Sequence, residues 1–385
     1  MDFQFDEVQQ SIRQMVKAFV DREVRPVAMA YEIEDRYPTP IVEKMRALGF
    51  FGFTIPEQYG GSGLDEVCYA ILMEELSVGW MSLAGILGTH MMTAWMILHF
   101  GTDAQRETYL PQKATGAWHA GMALTEPGSG SDAAALRTAA RREQDQWVIN
   151  GTKMFVSNAE HGTMFSVFVR TDPARPKARG ISCLLIHKGT PGFRVGRHLK
   201  KLGYRGLRTS ELIFEDARVP LENLLGEENT GFPMIMSALE GGRINVAARS
   251  VGLARAAFED SIRYAQQRET FGKPIAQHQL IQAKLADMAT RIEASKLLTY
   301  QAAALKSAGR RCDLEAGMAK LFASETAEFC ASEAMQIHGG MGYIQELPVE
   351  RYFRDSKLLT VGEGPNEIQR LIIARQLLRE TDGAR

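Results

Sequence analysis

The spacing of apolar residues changes twice along this chain of 385 residues, and those two changes constrain its fold more than any other feature. Up to about residue 118 apolar side chains recur at three and four positions. Val8, Ile12, Met15 and Phe19 form one helical stripe, Ile41, Met45 and Leu48 another, and further helical stretches follow before residue 100. Thr102, with Gln105 three positions on, has the form of a reciprocal helix N-cap. Between about 119 and 230 the pattern becomes short β-rich runs, Phe165 to Thr171, Ile181 to His187 and Glu211 to Phe214. There Asn150-Gly151 divides Trp147–Ile149 from Lys153–Val156 and reads as a two-residue hairpin turn. From Gly231 the helical spacing returns. Ile244, Ala247, Val251, Ala254, Phe258 and Ile262 form a stripe opposite the polar Asn245, Arg249, Glu259 and Arg263. Ile281 to Leu298, Leu314 to Phe329, and Ile368 to Ile372 after Pro365 supply three more helices. The expected architecture is mainly α with a central β domain: an N-terminal helical domain (1–118), a middle β-barrel-like domain (119–230) and a C-terminal four-helix bundle (231–385).

Charge and cysteine usage exclude several function classes. Forty-five Lys and Arg against 46 Asp and Glu leave a net charge of −1, with none of the surplus that draws a protein to nucleic acid. The cysteines at 68, 183, 312 and 330 form no CxxC pair and no metal-ligand spacing with the histidines, so no metal site and a reducing compartment are expected. The first residues carry acids where a secretory leader needs bases, and no uninterrupted apolar run reaches about 18 residues. The expectation is a cytoplasmic protein without a membrane span, or a mitochondrial matrix protein after removal of a transit peptide. No GxGxxG follows a strand and no GxxxxGK[ST] occurs, so a nucleotide cofactor would have to be held in another way.

Three segments concentrate unusual residues. Ala123 to Asp132, ALTEPGSGSD, leaves an apolar strand for small residues whose free N–H groups admit a flat ring or a phosphate; alone it also reads as an exposed turn. Gln336 to Tyr343, QIHGGMGY, reads alone as a glycine-terminated helix end. In Val361 to Ile368, VGEGPNEI, Glu363 stands just outside a helix start, as an electrostatic cap or as a general base flanked by glycines.

Together with GGRINVAARSVGLA, RETFGKPIAQHQ and GEGPNEIQRLIIAR in the right order, these segments resemble the acyl-CoA dehydrogenase flavoprotein family over nearly the whole chain. The resemblance implies FAD-dependent α,β-desaturation of an acyl-CoA thioester, the α-proton going to Glu363 and the β-hydride to flavin N5, with electrons passed on to electron-transfer flavoprotein. It implies a homotetramer. Met122, Leu124, Thr125, Gly130, Ser131, Phe155 and Ser157 would line the flavin, while Arg268, Thr270, Gln279, Gln336 and Gly340 would reach the FAD of a neighbouring subunit. Ser131, Glu240, Arg243 and Gly364 would contact substrate.

The departures from the family pattern carry information of their own. Some relatives place the base before the Arg of the GGRINVAA stretch; here that residue is Gly242, which leaves Glu363 as the acid. Phe155 replaces a frequent Trp, Glu240 a commoner Asp, and Gly362 a Tyr, which hints at a branched or cyclic acyl group. Pro365 lacks an N–H to offer a cofactor. Burial should raise the Glu363 carboxyl and the adjacent helix N-terminus should lower it, with burial the larger effect. The Met91, Met92 and Met96 helix reads as core, with an acyl tunnel as its alternative. Rival readings are an oxygen-reactive oxidase or monooxygenase, a carrier-protein thioester dehydrogenase, and a flavin-bearing binding protein. Retention of Glu363 disfavours the hydroxylating branch, and the absence of a basic extension disfavours a nucleic-acid-associated one.

Overall fold

The computed structural model describes residues 4–382, so the outermost residues of the first and third expected domains lie outside it. α1 (Glu7–Phe19) starts at a capping box in which Asp6 accepts from Gln9 N at 2.8 Å and Gln9 Oε1 accepts from Asp6 N at 3.2 Å. It buries Ile12, Val16 and Phe19, leaving Val8 and Met15 in water, so the inner face is turned from the expected stripe. α2 (Ala28–Ile33) and α3 (Thr39–Ala47) lead to α4 (Glu66–Phe100), the central rod of the molecule. Asp65 caps α4 by accepting from Cys68 N at 2.8 Å. Trp80 breaks it with extended backbone (φ −163°, ψ 111°). α4 is long and apolar enough to cross a membrane, but its apolar window is wholly buried inside the protein, which makes it a core helix. α5 (Asp103–Ala114) opens on the expected cap: Gln105 N donates to Thr102 Oγ1 at 3.2 Å and Thr102 N to Gln105 Oε1 at 3.1 Å.

The middle of the chain forms an 8-stranded sheet from β1 (Ala120–Ala123), β2 (Ala139–Glu143), β3 (Gln146–Ser157), β4 (Met164–Arg170), β5 (Ile181–His187), β6 (Phe193–His198), β7 (Thr209–Pro220) and β8 (Leu224–Leu225). The order is β6-β7-β3-β2-β4-β5-β8, with β1 parallel to β4. The Asn150-Gly151 hairpin is not formed. β3 runs through both residues, and the chain reverses at Gln144-Asp145 instead, Gln144 taking the left-handed φ of 54°. Asn150-Gly151 marks a register shift against β7, where Asn150 Nδ2 donates to Asp216 Oδ1 and Asp216 N donates to Asn150 Oδ1, both at 2.9 Å. The extra residue is on β7, where Asp216 takes the left-handed φ of 50° opposite Asn150.

The C-terminal third contains α6 (Gly231–Gln267), α7 (Gln279–Ser307), α8 (Asp313–His338), α9 (Val349–Val361) and α10 (Asn366–Asp382). A hairpin of β9 (Glu269–Thr270) and β10 (Lys273–Pro274) joins α6 to α7. α6 packs against α4, α7, α8 and α9, so the first half of its expected polar face is not solvated, Asn245 and Arg249 being 4% and 6% exposed, whereas Glu259 and Arg263 farther along still reach water. α9 has no counterpart in the expected four helices. Its charged cluster Glu350, Arg351, Arg354 and Asp355 is turned inward: Arg354 donates to Glu350 and to the fully buried Glu32, Arg351 donates to Gly79 O at 2.9 Å, and Asp355 accepts from a backbone N–H.

Candidate active site

Glu363 occupies the short link between α9 and α10, in left-handed backbone (φ 52°) beside Gly364 (φ 84°). Lys320 on α8 pins that link: its buried Nζ donates to Gly364 O at 3.0 Å and to Asn366 Oδ1 at 2.8 Å. Gln369 Nε2 also reaches Gly364 O, at 3.0 Å. Strained φ held by converging hydrogen bonds is the pattern of a residue fixed for a task. The carboxyl faces α6, where a Cβ on Gly242 would collide with Glu363 Oε2 and stand 2.8 Å from Met92 Cε. The glycine that removes an acid from α6 thus also makes room for the acid from the link. A Cβ at Gly362, by contrast, would meet Leu358 O at 3.1 Å, so that position turns back onto α9.

Arg249 Nη2 donates to Glu363 Oε1 at 3.2 Å and Nη1 donates to Tyr204 Oη at 2.9 Å. Tyr204 is itself positioned at distance, its N donating to Asp355 Oδ1 at 2.5 Å and its hydroxyl lying where a side chain on Gly85 would have to be. Burial pushes the Glu363 carboxyl above the usual carboxylate range, and the cations Arg249, Lys320 and Arg243 pull it back. The counterweight is therefore a set of side chains, where sequence reasoning looked to the helix N-terminus. Glu363 Oε2 is buried without a partner, and the Glu363 N–H makes no hydrogen bond among the described residues. One residue thereby offers an unpaired carboxylate oxygen and an unpaired donor.

Against this acid, between α4 and α6, lies a cavity of about 40 Å³ lined by Tyr69, Met91, Met92, Trp95, Gly242 and Asn245 among others. The methionine helix is both core and cavity wall. Arg243 is nearly buried and donates to Asp313 Oδ1 at 3.3 Å. Glu240 is buried too, and its carboxylate accepts from Lys306 Nζ at 2.7 Å, tying α6 to α7.

The second group of candidates is mounted on the sheet. Beyond β1 the chain closes around Glu126, whose carboxylate accepts from Arg137 N at 2.6 Å, Thr138 N at 2.8 Å and the buried Lys153 Nζ at 2.7 Å. This buried ion pair displays Gly128 and Gly130 at a rim where a Cβ would meet nothing nearer than Thr125 Cγ2 at 3.9 Å, with Ser131 exposed beside them. Thr125 O accepts from Met154 N at 2.8 Å, and Lys153 Nζ also donates to Leu124 O at 3.1 Å, so the two strands carry Met122, Leu124, Thr125, Phe155 and Ser157 on one structure. Phe155 has left-handed backbone (φ 56°) and is 61% exposed. A strained, outward aromatic beside open glycines fits a flat ring system. α4 lies between the two groups: Thr93 Oγ1 pairs with Ser166 Oγ on β4 at 3.2 Å, while Met92 meets the acid's seat.

The third group stands apart. Arg268 ends α6 some 19 residues beyond Arg249, about 28 Å along the helix, and its exposed side chain makes no hydrogen bond or ion pair among the described residues. Thr270 pairs with His278 Nε2 at 3.2 Å, and Gln279 opens α7 exposed. Gln336 and Gly340 are exposed at the end of α8, which the Tyr264–His338 stack (4.2 Å) joins to the end of α6. These five residues share one end of the bundle, remote from Glu363 within the chain. Sequence reasoning missed Arg249, Tyr204, Lys320, Glu126 and Lys153. Only an arginine on an otherwise alanine-rich helix and an acid inside the glycine-rich loop could have signalled them.

Residues 6–117 match the family model for the acyl-CoA dehydrogenase N-terminal domain, 121–217 the middle domain and 229–378 the C-terminal domain. The chain is 45% identical over 371 residues to an acyl-CoA dehydrogenase of Bacillus subtilis, covering 96% of this chain and 98% of that protein. It is similar to the solved butyryl-CoA dehydrogenase from Megasphaera elsdenii, with TM-score 0.96, 37% identity, and 98% and 100% of the two chains covered. A chain in a structure of the electron transferring flavoprotein of Acidaminococcus fermentans superposes with TM-score 0.97 at 40% identity, over 98% of this chain and 100% of that one.

Proposed function

The chain belongs to the acyl-CoA dehydrogenase family of oxidoreductase flavoproteins, and from that premise we propose that Glu363 is the base that removes the α-proton of a short acyl-CoA thioester. The observation that carries this reading is the Glu363 carboxyl itself: fixed by Arg249, pushed up by burial, and left with one unpaired oxygen beside a cavity. A carboxylate of ordinary basicity is far too weak for an aliphatic α-carbon, so its elevation and the acidification of the substrate have to meet. The unpaired Glu363 N–H is suited to hydrogen-bond the thioester carbonyl, stabilising the charge that develops as the proton leaves; one such donor is worth on the order of 10²-fold or more. Arg249 keeps the carboxylate oriented. Met92, Trp95 and the α4 wall exclude water from the reacting carbons.

FAD, when bound, supplies the two-electron acceptor for the β-hydrogen. Met122, Leu124, Thr125, Gly130, Ser131, Phe155 and Ser157 would hold its ring and adjoining chain, and the open glycine rim and outward Phe155 support that fit. Arg268, Thr270, Gln279, Gln336 and Gly340 would serve the cofactor of a second subunit, in keeping with their exposure and distance from Glu363, within a homotetramer. Ser131, Arg243 and Gly364 remain candidate contacts for the thioester, and Glu240 would act only if it left Lys306. Electron-transfer flavoprotein is the proposed acceptor and the cytoplasm the proposed location.

The test is anaerobic mixing of the flavin-loaded protein with butanoyl-CoA. Loss of yellow colour is expected for the parent and its absence for Glu363→Gln, which should keep flavin and still bind thioester. Equal bleaching by both would remove Glu363 from the reaction.

A further inference from the structure

The wall of the α4–α6 cavity beyond Glu363 is not the continuous hydrocarbon surface that a plain alkyl chain would require. Asn245 sits there one helical turn past Gly242, about 5 Å along α6 from the acid's seat. It is 4% exposed, and its amide Nδ2 donates to Tyr69 Oη at 2.8 Å. The other amide atom, Oδ1, is buried with no hydrogen-bond partner. The Tyr69 hydroxyl accepts from Asn245 but has no acceptor for its own proton among the described residues. Gly88 on α4 makes room for the amide, since a Cβ there would stand 3.1 Å from Nδ2. A buried polar atom left unpaired costs free energy that an apolar side chain at 245 would avoid, so the arrangement is one that a ligand completes.

We propose that this pair is a recognition site for a hydroxyl near the tail of a short acyl thioester, which rests on the reading of Glu363 and its cavity as the acyl site. The chemistry selects the group. A hydroxyl donates to Asn245 Oδ1 and accepts from Tyr69 Oη at once. With the amide turned over, the same two functions are exchanged between the residues and a hydroxyl still satisfies both. An ammonium has no lone pair for the tyrosine proton. A carboxylate has no proton for the amide oxygen, and the cavity's own carboxyl, Glu66, has no hydrogen-bond or ion-pair partner among the described residues that would leave a cation free to balance it. Burial raises Glu66 to about 7, against the pull of Lys306, so near neutral pH it can accept from a hydroxyl when ionised and donate to it when protonated. The cavity is small, about 40 Å³, which suits a short chain. With the α-carbon at Glu363, one helical turn sets the hydroxyl a few carbons farther along the chain.

The experiment uses the flavin-loaded Glu363→Gln protein, which binds thioesters without turning them over, and titrates butanoyl-CoA, pentanoyl-CoA and 5-hydroxypentanoyl-CoA calorimetrically. The expected result is roughly tenfold tighter binding of the hydroxylated chain than of pentanoyl-CoA. Adding Asn245→Leu, or Tyr69→Phe should the leucine variant not fold, should abolish or reverse that preference. Equal or weaker binding of the hydroxylated chain, or a preference unchanged in the variants, overturns the inference while leaving the acyl-CoA reading intact. Binding of no thioester at all, butanoyl-CoA included, defeats the acyl-CoA reading and this inference with it.

Discussion

Replacing Gly242 by alanine tests the seat of the Glu363 carboxyl with a single carbon. The new methyl would run into Glu363 Oε2 and stand 2.8 Å from Met92 Cε. Non-bonded carbons settle near 3.5–4 Å, so the carboxyl must retreat by about 1 Å. A displacement of that size at a reacting group costs on the order of 10²-fold in rate. Gly241→Ala is the matched comparison: Gly241 lines the same cavity one residue away on the same helix, but a methyl there meets no protein atom within 4 Å and leaves the carboxyl where it is. Both substitutions gain the same helix propensity, about 1 kcal/mol, so their difference isolates the collision. The assay is rapid anaerobic mixing of each flavin-loaded variant with butanoyl-CoA, following bleaching, with thermal melting measured alongside. Gly241→Ala should bleach within about threefold of the parent rate and Gly242→Ala about 100-fold more slowly, with both variants still melting as folded proteins. A Gly242→Ala rate within about threefold of the control would refute the placement of the acid against α6.

Two further outcomes follow from the electrostatics. Arg249→Met removes the cation nearest Glu363 while burial remains, so the carboxyl rises further and the acid limb of the kcat/KM profile should move to higher pH; an unmoved limb would show that Arg249 is not the counterweight. Asp355 is raised above its ordinary value by burial and by Glu32, against Arg351 and the Tyr204 N–H, so the folded chain keeps a proton that the unfolded chain loses over the pH window that begins at that ordinary value. Stability should therefore fall as pH rises through that window, and Asp355→Asn should flatten the slope of melting temperature against pH; the same slope in the variant would contradict the assignment.

What could be read beforehand was whatever local pattern decides. The Thr102–Gln105 cap appears as expected because both hydrogen bonds lie within one turn of chain. Asn150-Gly151 misled because a dipeptide that tolerates a turn can also run on through a strand, and the pairing of β3 with the bulge of β7, some 60 residues away, chose between them. Arg249 and Asn245 were hidden by the assumption that a helix has one wet face; α6 is enclosed on several sides over its first half, so these two polar residues lie inside the protein. Glu363 was legible from its glycine-flanked context. Its restraints were not: Lys320, Tyr204 and Gly85 lie far from it in sequence and meet it only through packing.

The burial of α4 has a consequence for how the chain is made. Its apolar stretch leaves the ribosome by Phe100, but the helix that covers one of its sides does not begin until Gly231. At bacterial or eukaryotic elongation speeds of about 5–20 residues per second, the intervening segment takes roughly 7–26 s to synthesise. Throughout that delay a rod greasy enough for a bilayer is nascent and half-clothed, so early handling by a chaperone, or by the sheet that emerges next, decides whether the polypeptide reaches its native state or is diverted to aggregate.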